Sequence, residues 1–467
     1  MATSTEDDDF RQKSHTFLSW TDQQGIVLSK KISLVDLRHL LLGRAVYSTE
    51  DIEEDEDLFA IPRSAILTPQ TTTLPTQITS ELDDPWLALI LVLIYETQQG
   101  SHSAWKPYLD ILPTEFDTLM YWEESELNLL QGSAVVAKIG KEKANETFTN
   151  HLIPIIRNHE EVFYASTLSN HDLLVLCHRM GSTIMAYAFD LERQDTNNDA
   201  SAEDGWEADS DEGGPLPVGM VPMADMLNAD ADRNNAKLFY EEDRVVMKSI
   251  KKIASNEEIL NDYGSTPSGD LLRRYGYVSP LYAKYDVVEI SQTIVLSVAQ
   301  AVLEISETDA QQRLEYLEAE IPTDAFDIAR AGSEDGQFSI EMLATLRCLA
   351  MAQADFNKLK SKGKMPSDKQ LDAGEHTVIR VLQAIILRRR QEYSPEPAQP
   401  ITTRPETLHD RHIRHQVMAQ QVVSGEKLVL QEAYSTVSNM LATTDNKRKL
   451  DDLEAEALGQ SEKRQRS

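Results

Sequence analysis

The sequence predicts an α+β protein, with a β-rich domain that is interrupted by a helical insertion and followed by an all-helical domain. Three observations support this prediction. Short β-prone runs occur near residues 45–61 and again at residues 238–264, on either side of a long intervening stretch. That stretch, about residues 84–191, carries apolar residues at helical spacing. Beyond Tyr285 helical patterns dominate again, and 467 residues suffice for two or three cooperating units.

The first β-prone region contains runs at residues 45–49 and 57–61, which flank an acidic segment with the sequence EDIEEDED. This arrangement predicts a hairpin whose charged turn stays in water. The second region contains the runs LFYEED, RVVMKSI and EEILNDYG, separated by charged turns. Each of these three runs is predicted to be a strand.

The insertion contains the longest apolar run of the chain, residues 86–95. It is about half as long as a membrane-spanning helix, so it predicts a buried helix with Asp84 as N-cap and Pro85 in the first turn. Two further helical repeats follow within the insertion; these are Leu127, Leu130, Ala134 and Ala137, and then Leu173, Leu176, Met180 and Ile184. After Tyr285, helices are expected over residues 290–305 and 378–387.

Changes in composition along the chain predict the boundaries of its domains. We expect a disordered N-terminus at residues 1–15, a first domain at 16–280, a helical domain at 281–442 and a disordered basic tail at 443–467. Residues 194–217 are acidic and almost free of aliphatic residues, which predicts a disordered loop. This loop is either an arm that captures a basic substrate or a simple solvated segment. The tail carries basic clusters at 447–449 and 463–466, which suit a nuclear import signal or a solvated end.

A formal net charge of −32 disfavours direct nucleic-acid binding and favours a basic protein partner. The two cysteines cannot build a disulfide framework or a thiolate zinc cluster, and the spacing of His171, Cys177 and His178 is better explained by packing than by a metal. The acidic N-terminus lacks the apolar core of a secretory signal. We therefore expect a monomer without a metal and without membrane association, in the nucleus and possibly also in the cytoplasm.

Four short motifs occur in a characteristic order: Gly43-Arg44-Ala45-Val46, then Ala224 to Asn228 (ADMLN), Asn261 to Gly264 (NDYG) and Arg274 to Tyr277 (RYGY). Together they resemble the SET-domain lysine methyltransferases of the Rubisco large-subunit methyltransferase class. The segments WKPY at 105–108 and Leu112-Pro113 resemble the insertion of that class. The resemblance implies a SET domain split by a helical insertion, followed by a helical substrate-binding domain.

The resemblance implies S-adenosylmethionine as methyl donor. Asn228 matches an asparagine that holds this cofactor, and Ala229 stands where the family has a histidine whose backbone amide contacts adenine. Gly43, Arg44 and Ala45 match a turn that approaches the cofactor through main-chain groups. Tyr187 matches a contact to the methionine moiety.

The resemblance also assigns the reaction centre. Tyr263 matches the catalytic tyrosine, whose hydroxyl lies near the transferred methyl group and the cofactor. Tyr275, Tyr240 and Asp225 match positions on the substrate side. Methyl transfer needs a neutral amine, and an aromatic channel disfavours the ammonium form by desolvation. The expected substrate is a basic protein, by likeness a large-subunit ribosomal protein of the L42 type.

Two alternatives remain from the sequence. The chain could be a binding module of the same fold without catalysis, although an intact Tyr263 argues against this. It could also methylate histidine rather than lysine. The motifs are more similar to those of the family members that methylate lysine in ribosomal proteins, which favours lysine over histidine.

Overall fold

The structure is a computed structural model that describes residues 3–40, 42–191, 217–318, 321, 324–367, 369–394 and 408–465. Of residues 3–7 and 444–465 it describes only the backbone. The chain divides into two compact units. Unit 1 comprises Met1–Tyr121, Ile139–Ser265 and Arg273–Gly276, and unit 2 comprises Trp122–Lys138, Thr266–Leu272 and Tyr277–Ser467. Part of the predicted insertion, residues 122–138, therefore belongs to unit 2.

The described strands are β1 (Val27–Leu28), β2 (Ile32–Asp36), β3 (Arg44–Ser48), β4 (Asp57–Pro62), β5 (Ala188–Asp190), β6 (Val218–Met220), β7 (Ala236–Tyr240), β8 (Arg244–Ser249), β9 (Val287–Ser291) and β10 (Ala325–Ala329). The described helices are α1 (Thr3–Gln23), α2 (Thr76–Thr79), α3 (Pro85–Gln98), α4 (Lys106–Leu109), α5 (Glu124–Leu127), α6 (Lys141–Thr147), α7 (Ile153–Asn158), α8 (Asn170–Tyr187), α9 (Ser268–Tyr275), α10 (Gln292–Leu303), α11 (Glu307–Leu317), α12 (Ile340–Ala350), α13 (Gln353–Ser361), α14 (His376–Arg390) and α15 (Arg411–Gln465). The α+β class predicted from the sequence is confirmed.

The described residues of unit 1 form three small antiparallel sheets. The largest has the strand order β1-β4-β8-β7, and the pairs β2-β3 and β5-β6 form the other two. Both strands predicted within residues 45–61 exist, but the predicted hairpin is wrong because β3 pairs with β2 while β4 pairs with β1 and β8. The acidic segment between them bridges to residues near Ile253 instead. The EEILNDYG run forms only isolated bridges, so its prediction as a strand is also wrong.

Helix α3 is the centre of the core of unit 1. The side chain of Asp84 accepts hydrogen bonds from the backbone N–H groups of Trp86 and Leu87, and Pro85 occupies the first turn, as predicted. Leu89 to Ile94 have no exposed surface, which an apolar helix without a polar face requires. None of the described helices is long and apolar enough to span a bilayer.

The predicted disorder of residues 1–15 is contradicted by α1, which extends over Thr3–Gln23. The helix is held by burial of Phe17 and Trp20. Arg44 also places its guanidinium over the Phe10 ring, 3.8 Å from the ring centroid. The sequence did not predict this helix, because Phe10, Phe17 and Trp20 are spaced widely among the polar residues of an acidic N-terminus.

Unit 2 is mostly helical, and α10, α12, α14 and α15 surround its buried core. It is not wholly helical as predicted, because β9 and β10 form an antiparallel pair. Residues along β9 alternate between buried and partly buried, as is typical of a strand. This strand lies at the start of the region that was expected to be helical. Residues 127–137 likewise form short turns of helix rather than one continuous helix.

Helix α15 continues to Gln465, so the backbone of residues 443–465 is helical rather than disordered. This region is rich in Lys, Leu, Glu and Ala, which favour helix. The predicted acidic loop lies outside the described residues, except for Pro217, whose carbonyl accepts a hydrogen bond from the Leu191 amide at 2.7 Å.

Candidate functional site

Two segments far apart in sequence, around Asn228 and Asn261, meet in unit 1. Ala229 and Asn261 form a parallel bridge. The amide of Asn261 donates to the carbonyl of Asn228 at 2.9 Å, and the amide of Asp230 donates to the carbonyl of Asn261 at 3.0 Å. The ADMLN and NDYG motifs are therefore joined through their main chains.

Strand β3 runs beside the place where these two segments meet. The amide of Ser48 donates to the carbonyl of Glu257 at 2.9 Å, and the amide of Ile259 donates to the carbonyl of Val46 at 2.8 Å. Gly43 precedes β3 with φ +67°, a conformation that glycine adopts without strain. The structure thus connects the Gly43-Arg44-Ala45 turn, through β3, to the segment that ends at Tyr263.

The side chain of Arg44 has a structural role. It donates hydrogen bonds to Ser14 Oγ at 3.0 Å and to the Ile111 carbonyl at 2.9 Å. Burial, with a smaller effect from the neighbouring Arg38 charge, lowers the pKa of Arg44 to about 10. This side chain is therefore engaged with α1 and with the Ile111 carbonyl. Ala45 is fully buried.

Tyr263 and Tyr275 lie together. Their rings stack with centroids 4.8 Å apart and an interplanar angle of 16°. The hydroxyl of Tyr263 donates a hydrogen bond to the carbonyl of Leu227 at 3.2 Å. The phenol of Tyr263 is therefore adjacent to the residue that precedes Asn228, and Tyr275 extends an aromatic surface beside it.

A second group of site residues is centred on Asp225, which is buried in the 3₁₀ turn that leads to Asn228. The hydroxyl of Tyr108 donates to Asp225 Oδ2 at 2.5 Å, and Asp225 Oδ1 has no hydrogen-bond partner among the described residues. Burial raises the pKa of Asp225 to about 8, against the lowering effect of the Tyr108 hydrogen bond. Burial and the Asp225 charge together raise the pKa of Tyr187 to about 12, which shows that Tyr187 is also close.

Tyr240 is the last residue of β7, and its hydroxyl donates to the carbonyl of Asp190 at 2.6 Å. Asp190 ends β5, the strand that directly follows Tyr187. The turn before Asp225 is strained, because Met223 has φ +76° although it is not a glycine.

Sequence reasoning missed three side chains that shape the site. Tyr108 was assigned only to the insertion motif, and its contact with Asp225 joins residues 117 positions apart. Asn235 is buried, accepts from the Leu260 amide at 2.8 Å and donates to the Glu258 carbonyl at 2.8 Å. The carboxylate of Glu258 accepts from Asn228 Nδ2 at 2.8 Å. No local pattern signals these pairs, since each joins residues that only the completed fold brings together.

Of the three histidine and cysteine candidates, His178 and Cys177 are engaged in packing, whereas His171 is exposed. His178 Nε2 lies 2.6 Å from Asn145 Oδ1, its ring meets Phe148 edge to face, and Cys177 is buried. Across the described ranges, no three His, Cys, Asp or Glu side chains are grouped so that they could hold a metal ion. Unit 1 also contains a cavity of about 250 Å³ bounded by α1, α3, α4 and α8. None of the predicted site residues lines it.

Residues 43–264 match the family model of the SET domain, which spans the chain from the Gly43 turn to the end of the NDYG motif. The matched segment, just under half of the chain, is similar to the SET domain.

The chain is also similar to individual lysine N-methyltransferases. The chain is 33% identical over 314 residues to ribosomal lysine N-methyltransferase 4 of Saccharomyces cerevisiae, a match that covers 65% of this chain and 62% of the yeast protein. It is 26% identical over 475 residues to the human N-lysine methyltransferase SETD6, covering 90% and 95% of the two chains. The match to the yeast protein thus spans less than two thirds of that relative.

Solved structures show the same fold. The structure of Rubisco LSMT bound to AdoMet superimposes with a TM-score of 0.65 at 21% identity, over 94% of this chain and 96% of that one. The SET domain of LSMT bound to lysine and AdoHcy gives a TM-score of 0.64 at 20% identity, over 95% and 96%.

Proposed function

We propose that this protein methylates a lysine of a basic protein, namely a large-subunit ribosomal protein of the L42 type. The name of the yeast relative supports a ribosomal substrate. The net charge of −32 supports a basic partner, because opposite charge increases the encounter rate. The observation that carries the assignment of the centre is the Tyr263 hydroxyl beside the Leu227 carbonyl, with the Tyr275 ring stacked on the same phenol.

The residues where the two segments meet fit S-adenosylmethionine. Apart from Gly43 and its two chain neighbours, no heavy atom of the described residues lies within 4 Å of the position that a Cβ would take on Gly43, so the turn leaves room for close approach. Asn228 Nδ2 is engaged by Glu258, and the Oδ1 atom of the same amide has no partner among the described residues. Gly43, Arg44, Ala45, Ala229 and Tyr187 complete the proposed cofactor contacts, together with Tyr263. When bound, this cofactor supplies an electrophilic methyl group on a positively charged sulfur.

Tyr263 is the proposed catalytic residue. Its hydroxyl is fixed by the Leu227 carbonyl and its ring by Tyr275, so its position is set before substrate arrives. The paired rings give a flat wall for the aliphatic part of a lysine. Exclusion of water by such a wall lowers the pKa of the lysine and so favours the neutral amine that methyl transfer requires.

Asp225 and Tyr240 are the proposed substrate contacts besides Tyr275. The unpartnered Oδ1 atom of Asp225 is a buried acceptor, and an N–H donor from the substrate would satisfy it. Tyr240 is held against the Asp190 carbonyl. For the whole molecule, we propose a monomer that the tail clusters at 447–449 and 463–466 direct to the nucleus.

The substrate is tested by incubating the protein with isotopically labelled S-adenosylmethionine and fractionated ribosomal proteins, followed by mass spectrometry of the labelled bands. The expected result is label on a lysine of one basic large-subunit protein. Absence of label from every ribosomal fraction, with label on lysines of other proteins in a whole-cell extract incubated in parallel, would overturn the ribosomal assignment and leave the enzyme class intact.

The centre is tested with Tyr263→Phe. Loss of one preorganised hydroxyl should lower kcat by about two orders of magnitude, while the thermal unfolding temperature changes little because the ring and its stack remain. Tyr164→Phe is the matched control, since Tyr164 is exposed. Equal kcat values for the Tyr263 variant and the unmodified enzyme would remove this residue from catalysis.

A further inference from the structure

The side chain of Asn228 is held from one side by a carboxylate. Asn228 Nδ2 lies 2.8 Å from Glu258 Oε1. A carboxylate only accepts hydrogen bonds, so the amide must turn its NH₂ group to Glu258 and its Oδ1 atom away from it. Glu258 thereby leaves the Oδ1 atom of Asn228, rather than its NH₂ group, available to a ligand.

Glu258 is held through both its side chain and its backbone. The hydroxyl of Tyr47 donates to Glu258 Oε2 at 3.4 Å, and burial together with the Glu258 charge raises the pKa of Tyr47, so Tyr47 stays a neutral donor. The backbone of Glu258 is held by Asn235, which donates to the Glu258 carbonyl and accepts from the Leu260 amide. Asn235 is buried, so these two hydrogen bonds are shielded from water.

The main chain of Asn228 is also occupied, since its carbonyl accepts the Asn261 amide. The Oδ1 atom is therefore the hydrogen-bonding group of Asn228 that the described structure leaves open as an acceptor. Such an acceptor suits a ligand N–H donor, and S-adenosylmethionine carries these groups on its ammonium and its adenine.

We propose that Glu258 is a positioning residue for the cofactor: it orients the Asn228 amide so that Oδ1 faces an N–H donor of S-adenosylmethionine. This inference rests on the proposed cofactor role of Asn228. Without Glu258 the amide rotates freely and turns its NH₂ group to the donor for part of the time. Glu258 acts through Asn228, so its removal lowers cofactor affinity and leaves the methyl-transfer step unchanged.

The experiment measures S-adenosylmethionine affinity by calorimetry for Asn228→Ala, Glu258→Ala, Glu258→Gln and the double variant Asn228→Ala/Glu258→Ala. We expect Glu258→Ala to weaken binding about tenfold, the scale of one charge-assisted hydrogen bond. Glu258→Gln keeps an acceptor and should weaken binding less. The double variant should bind within about twofold of Asn228→Ala alone, because coupled residues are not additive.

Glu257→Gln is the matched control. It removes the same charge one position away, from a carboxylate that accepts the Ala254 amide at the exposed surface. Its affinity should equal that of the unmodified protein. In turnover assays, the Glu258 variants should raise KM for S-adenosylmethionine and keep kcat within about twofold at saturation, which general damage to the fold would not do.

The outcomes separate the two proposals. Unchanged affinity in Asn228→Ala would overturn the cofactor role of Asn228 and the inference with it. Weakened binding in Asn228→Ala with normal binding in Glu258→Ala and Glu258→Gln would overturn the inference alone. Multiplied losses in the double variant would show that Glu258 acts independently of Asn228. If Glu258→Ala unfolds, as judged by thermal unfolding, Glu258→Gln decides.

Discussion

At the scale of single residues, the site is defined by polar groups held in unusual environments. Asp225 is buried, receives one short hydrogen bond from Tyr108 and keeps one oxygen unpartnered. Burial raises its pKa from 3.8 to about 8, so the free protein holds this carboxyl mainly protonated at neutral pH. An ammonium of the substrate nearby would favour the ionised form, which makes the protonation of Asp225 sensitive to occupancy of the site.

We predict that Asp225→Asn removes a pH-dependent cost to folding. The folded protein retains the proton of Asp225 up to about pH 8, whereas the unfolded chain releases it near pH 4. Stability from this group is therefore lost as pH rises, by up to about 1.4 kcal/mol per pH unit between roughly pH 5 and 7. Urea unfolding across this range should show a steeper decline for the unmodified protein than for Asp225→Asn. Asp243→Asn, at an exposed turn, should follow the unmodified protein, and parallel curves for all three would contradict the pKa shift.

At the scale of elements, the features that could be predicted are those that depend on a local residue pattern. Helix α3 was predictable with its cap because ten apolar residues after Asp-Pro admit few other structures. The strands β3 and β4 were predictable, but their hairpin was not, because pairing depends on partners such as β2 and β8 elsewhere in the chain. The meeting of the ADMLN and NDYG motifs follows from their resemblance to a known family and not from any local pattern. The contacts of Tyr108 and Glu258 were not, since each joins residues brought together only by the completed fold.

We predict that Gly276→Ala damages the site through the end of α9. Gly276 has φ +76°, and an added Cβ would lie 2.9 Å from the Thr118 backbone nitrogen and 3.0 Å from the Asp117 carbonyl carbon. The backbone must shift, and the neighbouring Tyr275 must shift from its stack with Tyr263. We expect a lower unfolding temperature and at least a tenfold loss of kcat, since small misplacements of positioning groups reduce rates strongly.

Gly332→Ala is the matched control for this substitution. Gly332 also has positive φ, +87°, but nothing lies within 4 Å of its added Cβ. Gly332→Ala should lower the free energy of unfolding by about 1–3 kcal/mol, the cost of the left-handed conformation alone, and should leave kcat unchanged. Gly276→Ala should be less stable than this control by roughly a further 1–3 kcal/mol from overpacking. Equal stability of the two variants, with full activity in both, would contradict the clash.

At the scale of the whole molecule, charge is the dominant sequence property. Asp and Glu total 77 residues against 45 Lys and Arg. Such an excess produces a negative potential that attracts a basic protein over distances beyond direct contact. S-adenosylmethionine binding should depend less on this field, because the proposed cofactor contacts act over short distances that salt screens little. Salt should therefore distinguish the two substrates of the reaction.

We predict that KM for the basic protein substrate rises with salt while KM for S-adenosylmethionine stays nearly constant. Between about 50 and 300 mM NaCl the screening length falls by more than half, so an attraction between separated charges weakens strongly. Deletion of residues 195–212 should raise KM for the protein substrate at low salt, and the difference should vanish at high salt. A matched replacement of the same segment by an uncharged Gly-Ser linker controls for loop length. If KM for the protein substrate is equal in all three enzymes at low salt, the acidic segment takes no part in capturing the substrate.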